Sequence, residues 1–203
     1  MPAEHRGSGP PAVAYSYAPG RGGKHAAKLL DGFNGILQVD GYAAKKLAVP
    51  TRHGGPVTLA YCWSHLRQQF YEAPIATEAL ARIKLLYDIE AEVRGSPPEV
   101  RRPAREQRSK PVIEALKPWF EDSLARMSKG SKLAEALAYG LNHWDGLCRF
   151  LDDGRIEIDS NTVERSIRGV ALTRNYVKRR IMRKCSLFSV NSLSIPAISE
   201  AAL

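Results

Sequence analysis

The sequence of 203 residues predicts an α/β domain that is interrupted by a block of α-helices. Three observations support this class. Short apolar runs with the length of β-strands lie within the first 63 residues. Helical periodicity then dominates residues 75–151. A further short helix is predicted to begin near Asn161. The helical block therefore stands between two parts of one α/β domain, as an insertion would.

The predicted elements of the first third follow from local patterns. Strands are predicted at residues 12–19, 35–42 and 57–63. The second of these, GILQVDGY, is a short apolar run that predicts a buried strand, and the run stops at Asp40. Residues 23–33 predict a short helix that ends near Gly32. The third strand runs into a helix through the segment SHLRQQFYEA.

Three amphipathic helices are predicted within the helical block. The apolar stripe of the first consists of Ile75, Ala79, Ile83, Leu86 and Ile89. The second lies among the prolines and arginines of residues 96–127. The third is predicted over residues 131–151, with Leu133, Leu137, Leu141 and Trp144 as its stripe.

The segment DSNTVERSIRG, residues 159–169, has two interpretations. In a helix, Asn161, Glu164 and Arg168 lie on one face, opposite an apolar stripe. A carboxylate in that position can bind a divalent metal ion, and the arginine can bind phosphate. Alternatively, Asn161 and Glu164 form a capping box, and Glu164 pairs with Arg168 on a solvated helix. From these residues alone the capping role is the commoner one.

Composition favours a globular protein with a polyanionic partner. Lys and Arg outnumber Asp and Glu by 30 to 21, which gives a formal net charge of +9 and favours nucleic acid as the partner. A basic protein without such a partner is the alternative. Three scattered cysteines, Cys62, Cys148 and Cys185, predict free thiols and a cytoplasmic location. No apolar run reaches the roughly 18 residues of a membrane span.

Three smaller motifs leave their function open. CWSH, residues 62–65, has the spacing of half a zinc site, but the sequence offers no suitable second pair of ligands. Trp63 and Phe70 are predicted core residues. RRPAREQRSK, residues 101–110, is either a DNA contact or a proline-broken solvated loop. RNYVKRRIMRK, residues 174–184, carries six basic residues, which favour phosphate binding unless they result from an altered reading frame.

Several blocks, in order, resemble the insertion-sequence-66 family of bacterial transposases. They are GFNGILQVDGYAA, YCWSHLRQQF, LLYDIEAEVRG, the run at residues 131–139 and RFLDDGRIEIDSNTVERSIR. The resemblance extends over about residues 9–173. It implies a catalytic domain similar to ribonuclease H, with a helical insertion between the second of two aspartates and a glutamate. Capping then becomes the minor interpretation of Glu164.

The resemblance also implies Mg²⁺-dependent DNA cleavage and strand transfer. Such transposases hold two Mg²⁺ ions with an Asp, an Asp and a Glu, and the ions promote in-line phosphoryl transfer. Asp40 matches the second Asp and Glu164 the Glu, so both are predicted catalytic residues and metal ligands. Arg165, Arg168 and Arg174 are predicted to contact DNA. The implied partners are transposon ends and other transposase subunits, without a membrane.

The block YCWSHLRQQF contains two further candidates. The resemblance places this block beside the strand that follows Asp40. His65 and Arg67 are therefore predicted to lie near the active face. Structural packing is the alternative role for both side chains.

Two departures from the family pattern predict an inactive copy. The family's first Asp lies upstream of AVAYSY, and the acids before Asp40 in this sequence are Glu4 and Asp31, neither of which fits. Without that strand, the first third is expected to fold poorly. After about Asn175 the sequence diverges from the family, as a frameshift would cause. A non-catalytic DNA-binding or interaction fragment, and a relic without function, are the alternatives.

The predicted division of the chain has four parts. They are a partial ribonuclease H-like core at 1–74, a helical insertion at 75–151, the region of the glutamate helix at 152–173 and a divergent basic tail at 174–203.

Overall fold

The structure is a computed structural model that describes residues 28, 30–39, 57–73, 76–128, 130–161 and 165. Its strands are β1 (Gly35–Val39) and β2 (Val57–Tyr61). Its α-helices are α1 (Trp63–Tyr71), α2 (Thr77–Val93), α3 (Pro98–Ala104), α4 (Lys110–Ala125), α5 (Lys132–Asn142) and α6 (Trp144–Asp152). The described part of the chain is thus mostly helical with one two-stranded sheet, which is compatible with the predicted α/β class.

The chain divides into two compact units. One comprises residues 1–59 with 161–203, and the other, which we call the helical unit, comprises residues 60–160. The four-part division proposed from the family resemblance remains a prediction.

The described part of the first unit has a small apolar core. Leu30, Phe33, Leu37 and Val57 are buried together, and Val39 and Leu59 pack against them. Gly32 has a φ of 74°, a conformation that glycine adopts without strain and that commonly ends a helix. This geometry agrees with the helix end predicted there. The strand predicted at 35–42 is confirmed as far as Val39.

The predicted junction between strand and helix is confirmed at Cys62. This residue has extended dihedral angles and is the N-cap of α1. Trp63, Leu66 and Phe70 then lie at helical spacing on one face and are fully buried. The core positions predicted for Trp63 and Phe70 are therefore confirmed.

The apolar stripe predicted for the first helix of the block is also found. In α2 the side chains of Ala79, Ile83, Leu86 and Ile89 are buried, and Ile75 lies outside the described residues. Glu90 is buried on this helix as well. A buried charged residue needs a partner of opposite charge. Arg105 and Arg101 are the partners of Glu90.

The prediction of a proline-broken loop at residues 101–110 is wrong. These residues continue α3 through a π-helical segment, Arg105–Ser109, into α4. Prolines at 103 and 111 flank the segment, and each removes a backbone N–H from the regular hydrogen-bond ladder. A wider turn between them is one way to keep the chain helical despite those missing donors.

The single helix predicted at 131–151 is also wrong. The chain forms α5 and α6, separated by His143 with φ −113° and ψ 12°. The stripe changes at this break because one non-helical residue rotates the second helix relative to the first. Of the predicted stripe, Leu137 of α5 and Trp144 of α6 are buried, whereas Leu133 and Leu141 of α5 are half-buried.

Aromatic rings fill the centre of the helical unit. Trp144 contacts both Trp63 and Phe120 edge to face, with ring centroids 6.2 and 5.6 Å apart. Phe70 contacts the same Phe120 ring at 5.5 Å. Gly140 permits this packing, because an added Cβ would lie 2.7 Å from Cε2 of Phe120. The rings of α1, α4 and α6 thus share one core, which Gly140 of α5 contacts closely.

Candidate functional site

The structure describes one of the five predicted site residues. Arg165 is helical and its side chain is exposed. Asp40, Glu164, Arg168 and Arg174 lie outside the described residues. Asp40 follows directly after the last residue of β1, and Glu164 directly precedes Arg165. The structure describes the segment of the helical unit that leads in sequence to Glu164.

We call residues 153–160 the exit segment, because the chain leaves the helical unit through them. The segment has no regular helix or strand. Its side chains at Ile156, Ile158 and Asp159 are nevertheless buried. Gly154 packs so tightly against Pro98 that an added Cβ would lie 2.2 Å from the carbonyl oxygen of Pro98. Burial and close packing thus fix a segment that secondary structure does not.

The end of the exit segment is bound to the start of α1. The backbone N–H of Trp63 donates to the carbonyl oxygen of Ile158 at 3.1 Å. The backbone N–H and the Oγ–H of Ser160 both donate to Sγ of Cys62, each at 3.2 Å. Oγ of Ser64 lies 3.0 Å from the same sulfur. Residues almost a hundred positions apart in sequence are therefore joined at the boundary of the unit.

These contacts change the chemistry of the buried Cys62 thiol. Burial alone raises the pKa of this group, because a charged sulfur loses hydration. Hydrogen bonds with His65, Ser160 and Ser64 outweigh burial and lower the pKa from 9.0 to about 7. Cys148 shows the opposite result, since burial and then the nearby carboxylates of Asp145 and Asp152 raise its pKa to about 12. The environment of Cys62 is thus specifically polar.

Arg67 and Tyr87 lie in the same region of the helical unit. The Arg67 guanidinium stacks over the Tyr87 ring at 4.7 Å from its centroid. Burial, followed by the nearby charge of Asp159, raises the pKa of Tyr87 far above its ordinary value, so its hydroxyl stays protonated. Arg67 and His65 are both half-buried and contact residues of their own unit. These contacts favour the packing role for both.

A buried ion pair, which the sequence did not indicate, stabilises the other end of the exit segment. Arg105 donates to both carboxylate oxygens of Glu90, at 2.6 and 2.8 Å, and to the carbonyl oxygen of Phe150 at 2.8 Å. Arg101 donates to Glu157 at 2.7 Å. Both arginines are buried, so the predicted DNA contact at residues 101–110 is wrong for these two side chains.

Two other basic residues of that stretch are paired at the surface. Arg108 binds Glu92 at 2.6 Å, and Lys110 binds Glu106. Such exposed pairs contribute little to stability. They do, however, offset the positive charge that the sequence displays. Residues 101–110 are therefore mostly a structural element rather than a basic surface.

Positive charge is distributed unequally between the two units. The helical unit has 15 Lys and Arg against 16 Asp and Glu, whereas the remainder of the chain has 15 against 5. The whole basic excess thus lies in the unit that includes Asp40, Glu164 and Arg165. A polyanion would be attracted to that unit.

The described residues contain neither a cluster of metal ligands nor a membrane-spanning helix. Within them, no group of three or more His, Cys, Asp and Glu side chains could hold a metal ion. Cys62 and His65 therefore have no such set of zinc ligands around them in that part of the structure. Among the same residues, no helix is both long and apolar enough to cross a membrane.

The sequence is similar to a known protein family and to several known proteins. Residues 2–180 match the family described as Transposase IS66 family. No solved structure matches. Three uncharacterized proteins of Sinorhizobium fredii (strain NBRC 101917 / NGR234) are similar to it. They are y4jD, 44% identical over 180 residues, y4qI, 43% over 178, and y4hP, 35% over 187.

The matches extend over most of this chain but over a minor part of each relative. Each covers 83% of the chain and 35%, 33% and 34% of y4jD, y4qI and y4hP, respectively. The chain therefore spans about a third of the length of these relatives. Because the family match extends over most of the sequence, the chain belongs to the IS66 family of transposases.

Proposed function

We propose that this chain is part of a DDE-type DNA transposase, with Asp40 and Glu164 as two of the three catalytic carboxylates. The observation that carries the proposal is the family match over residues 2–180, which includes both acids. We further propose that residues outside the helical unit form a ribonuclease H-like core. The helical unit stands in the sequence between Asp40 and Glu164, as an insertion into that core would.

The two carboxylates fit Mg²⁺ by the chemistry of their donor atoms. Hard oxygen ligands suit this ion, and Asp40 and Glu164 would each supply them. When bound, Mg²⁺ supplies charge for activating a hydroxyl nucleophile and for stabilising the phosphoryl group. Arg165, Arg168 and Arg174 would bind and orient DNA phosphates through their guanidinium groups. The substrates in this proposal are transposon ends, with other transposase subunits as partners.

We propose that the 203 residues alone do not complete the reaction. Two carboxylates lack the shared ligand that a two-metal site requires. The test is incubation with Mg²⁺ or Mn²⁺ and a DNA that carries transposon ends. No cleavage above background is expected. Cleavage that is lost in Asp40→Ala and in Glu164→Ala, but retained in the control Asp31→Ala at an exposed turn, would overturn the proposed inactivity.

A second candidate function is non-catalytic DNA binding, and the unequal charge distribution favours it. Phosphate contacts release counterions, so affinity for duplex DNA should fall steeply as salt increases. Measurement of binding at several salt concentrations tests this function. An affinity that hardly changes between about 50 and 200 mM salt would contradict it.

A further inference from the structure

An aromatic ring stands exposed at the surface of α1. In the described ranges Tyr71 is 60% exposed, more than the other exposed large apolar side chains, Leu85 and Val100. The Tyr71 ring also belongs to a stack, because the guanidinium of Arg67 lies 5.6 Å from its centroid and 4.7 Å from that of Tyr87. Both distances are typical of cation–π contacts. We call these three side chains the Arg–Tyr stack.

The stack is anchored at one end and open at the other. Arg67 and Tyr87 are half-buried, whereas Tyr71 is exposed. The helix beneath is fixed by Leu66 and Phe70, the fully buried residues directly before Arg67 and Tyr71. A side chain that is ordered in advance loses little conformational entropy when a ligand covers it. The outer face of the Tyr71 ring is therefore a preformed contact surface.

The positive charge of Arg67 is not offset by an ion pair. Other arginines of the helical unit each bind a carboxylate, namely those at positions 82, 101, 105, 108 and 155. In the part of the chain that the structure describes, the partners of Arg67 are instead the two rings. Gln68 and Tyr71 share its face of α1, and the adjacent Glu72 accepts a hydrogen bond from Gln68 at 3.1 Å. A free positive charge and an exposed ring thus lie side by side.

We propose that the Arg–Tyr stack binds an unpaired base of single-stranded DNA. The inference rests on the proposed function for the choice of DNA as the ligand. An exposed ring offers a flat apolar surface on which a base of any type can stack. The Arg67 guanidinium adds a cation–π contribution and N–H donors for the neighbouring phosphate. Bases within a duplex are covered by one another, so the ligand is a single strand.

The test compares the affinities of the full chain for two single strands of equal length and charge. One is an oligothymidylate, and the other is an abasic strand with the same sugar–phosphate backbone. Binding is measured by fluorescence anisotropy at one salt concentration, so that phosphate contacts elsewhere in the chain contribute equally to both affinities. The wild type should prefer the oligothymidylate by about tenfold. Equal affinities for the two strands would overturn the proposal.

Variants of the stack locate the source of this preference. Tyr71→Ala should reduce the preference to about twofold, and Tyr71→Phe, which keeps the ring, should retain it. Arg67→Lys keeps the charge but loses the flat guanidinium, and it should lower the preference by about threefold. Leu85→Ala removes an exposed apolar side chain outside the stack and is the matched control, with an unchanged preference. A preference that survives Tyr71→Ala, or that falls equally in Leu85→Ala, would overturn the site.

Duplex binding separates the failure of this inference from the failure of the proposed function. The affinity for duplex DNA should be the same in the wild type and in Tyr71→Ala. A chain that binds duplex DNA but does not distinguish the two single strands contradicts the stack alone, whereas a chain that binds no DNA contradicts both.

A contact between two copies of the chain is the competing use of an exposed ring. Analytical ultracentrifugation of the wild type and of Tyr71→Ala tests it. The two should have the same mass in solution. A smaller mass for Tyr71→Ala, together with an unchanged preference for the oligothymidylate, would assign the ring to a protein contact and overturn the proposal.

Discussion

The two units of this chain differ in how many acidic residues accompany their basic residues. The helical unit has nearly equal numbers of basic and acidic residues, and several of its arginines form ion pairs with nearby carboxylates. The other unit has three times as many basic as acidic residues. A cluster of arginines in sequence is therefore not sufficient evidence for a DNA surface. What decides is the number of acids that the fold brings to them.

The largest expected effect comes from breaking the buried pair in the helical unit. Arg105→Ala removes the two short hydrogen bonds of the buried Glu90 carboxylate and leaves it with Arg101 at 3.6 Å, so the free energy of unfolding should fall by about 3–5 kcal/mol. Denaturant unfolding followed by circular dichroism measures the change. Arg108→Ala, which breaks an exposed pair, is the control and should lower the unfolding free energy far less. Equal losses in the two variants would contradict the contrast between buried and surface arginines.

Packing of the exit segment gives the next effect. Gly154→Ala should destabilise the protein by about 1–3 kcal/mol, because the new methyl group meets a backbone carbonyl that cannot easily move. Gly140→Ala is the comparison, since there the methyl group meets the side chains of Phe120 and Leu66, which can shift more easily than a backbone carbonyl. Thermal unfolding of both variants measures the difference. A smaller loss for Gly154→Ala than for Gly140→Ala would contradict this explanation.

Ionisation of Cys62 should make the stability depend on pH. The pKa of the Cys62 thiol is about 7 in the folded state and 9.0 ordinarily. The contribution of the ionised thiol to the free energy of unfolding is therefore complete above pH 9 and is lost as pH falls through 7. Stability should thus rise by about 1–2 kcal/mol from pH 7 to 9. Measurements in a Cys148→Ala background remove the opposing thiol. If Cys62→Val shows the same rise, the thiol is not its source.

The smallest effect tests the basic unit directly. Arg165→Gln should reduce the slope of log affinity against log salt by about one, which corresponds to one lost phosphate contact. Arg94→Gln, an exposed arginine of the helical unit, is the matched control and should leave the slope unchanged. Fluorescence anisotropy with duplex DNA provides the measurement. A larger change of slope for Arg94→Gln than for Arg165→Gln would contradict DNA binding by the basic unit.

Local patterns predicted some elements and not others, for physical reasons. The α2 stripe was predictable because its periodicity alone determines which face is buried. The break at His143 was not, because Asn142 and His143 include neither glycine nor proline and the apolar spacing continues across them. The burial of Arg105 was equally hidden, since its partner Glu90 lies on another helix.

The candidate site depended on more than local patterns. A carboxylate at the end of a strand or in the first turn of a helix is common in proteins without any metal site. Asp40 and Glu164 gained significance from the order of several blocks along the chain. The sulfur contact at Ser160 could not be predicted at all, because it joins residues 62 and 160.

The π-helical segment has a consequence for how this sequence can change. Side chains four positions apart in an α-helix drift around the axis by about 40° per step. The wider turn at Arg105–Ser109 reduces this drift, and the residues at every fourth position, Arg101, Arg105, Ser109 and Ile113, are all buried. Deleting one residue of the segment would rotate all of α4 by about 100° and expose its apolar face. Substitutions at its exposed positions, Glu106, Gln107 and Arg108, are therefore tolerated more readily than changes of length.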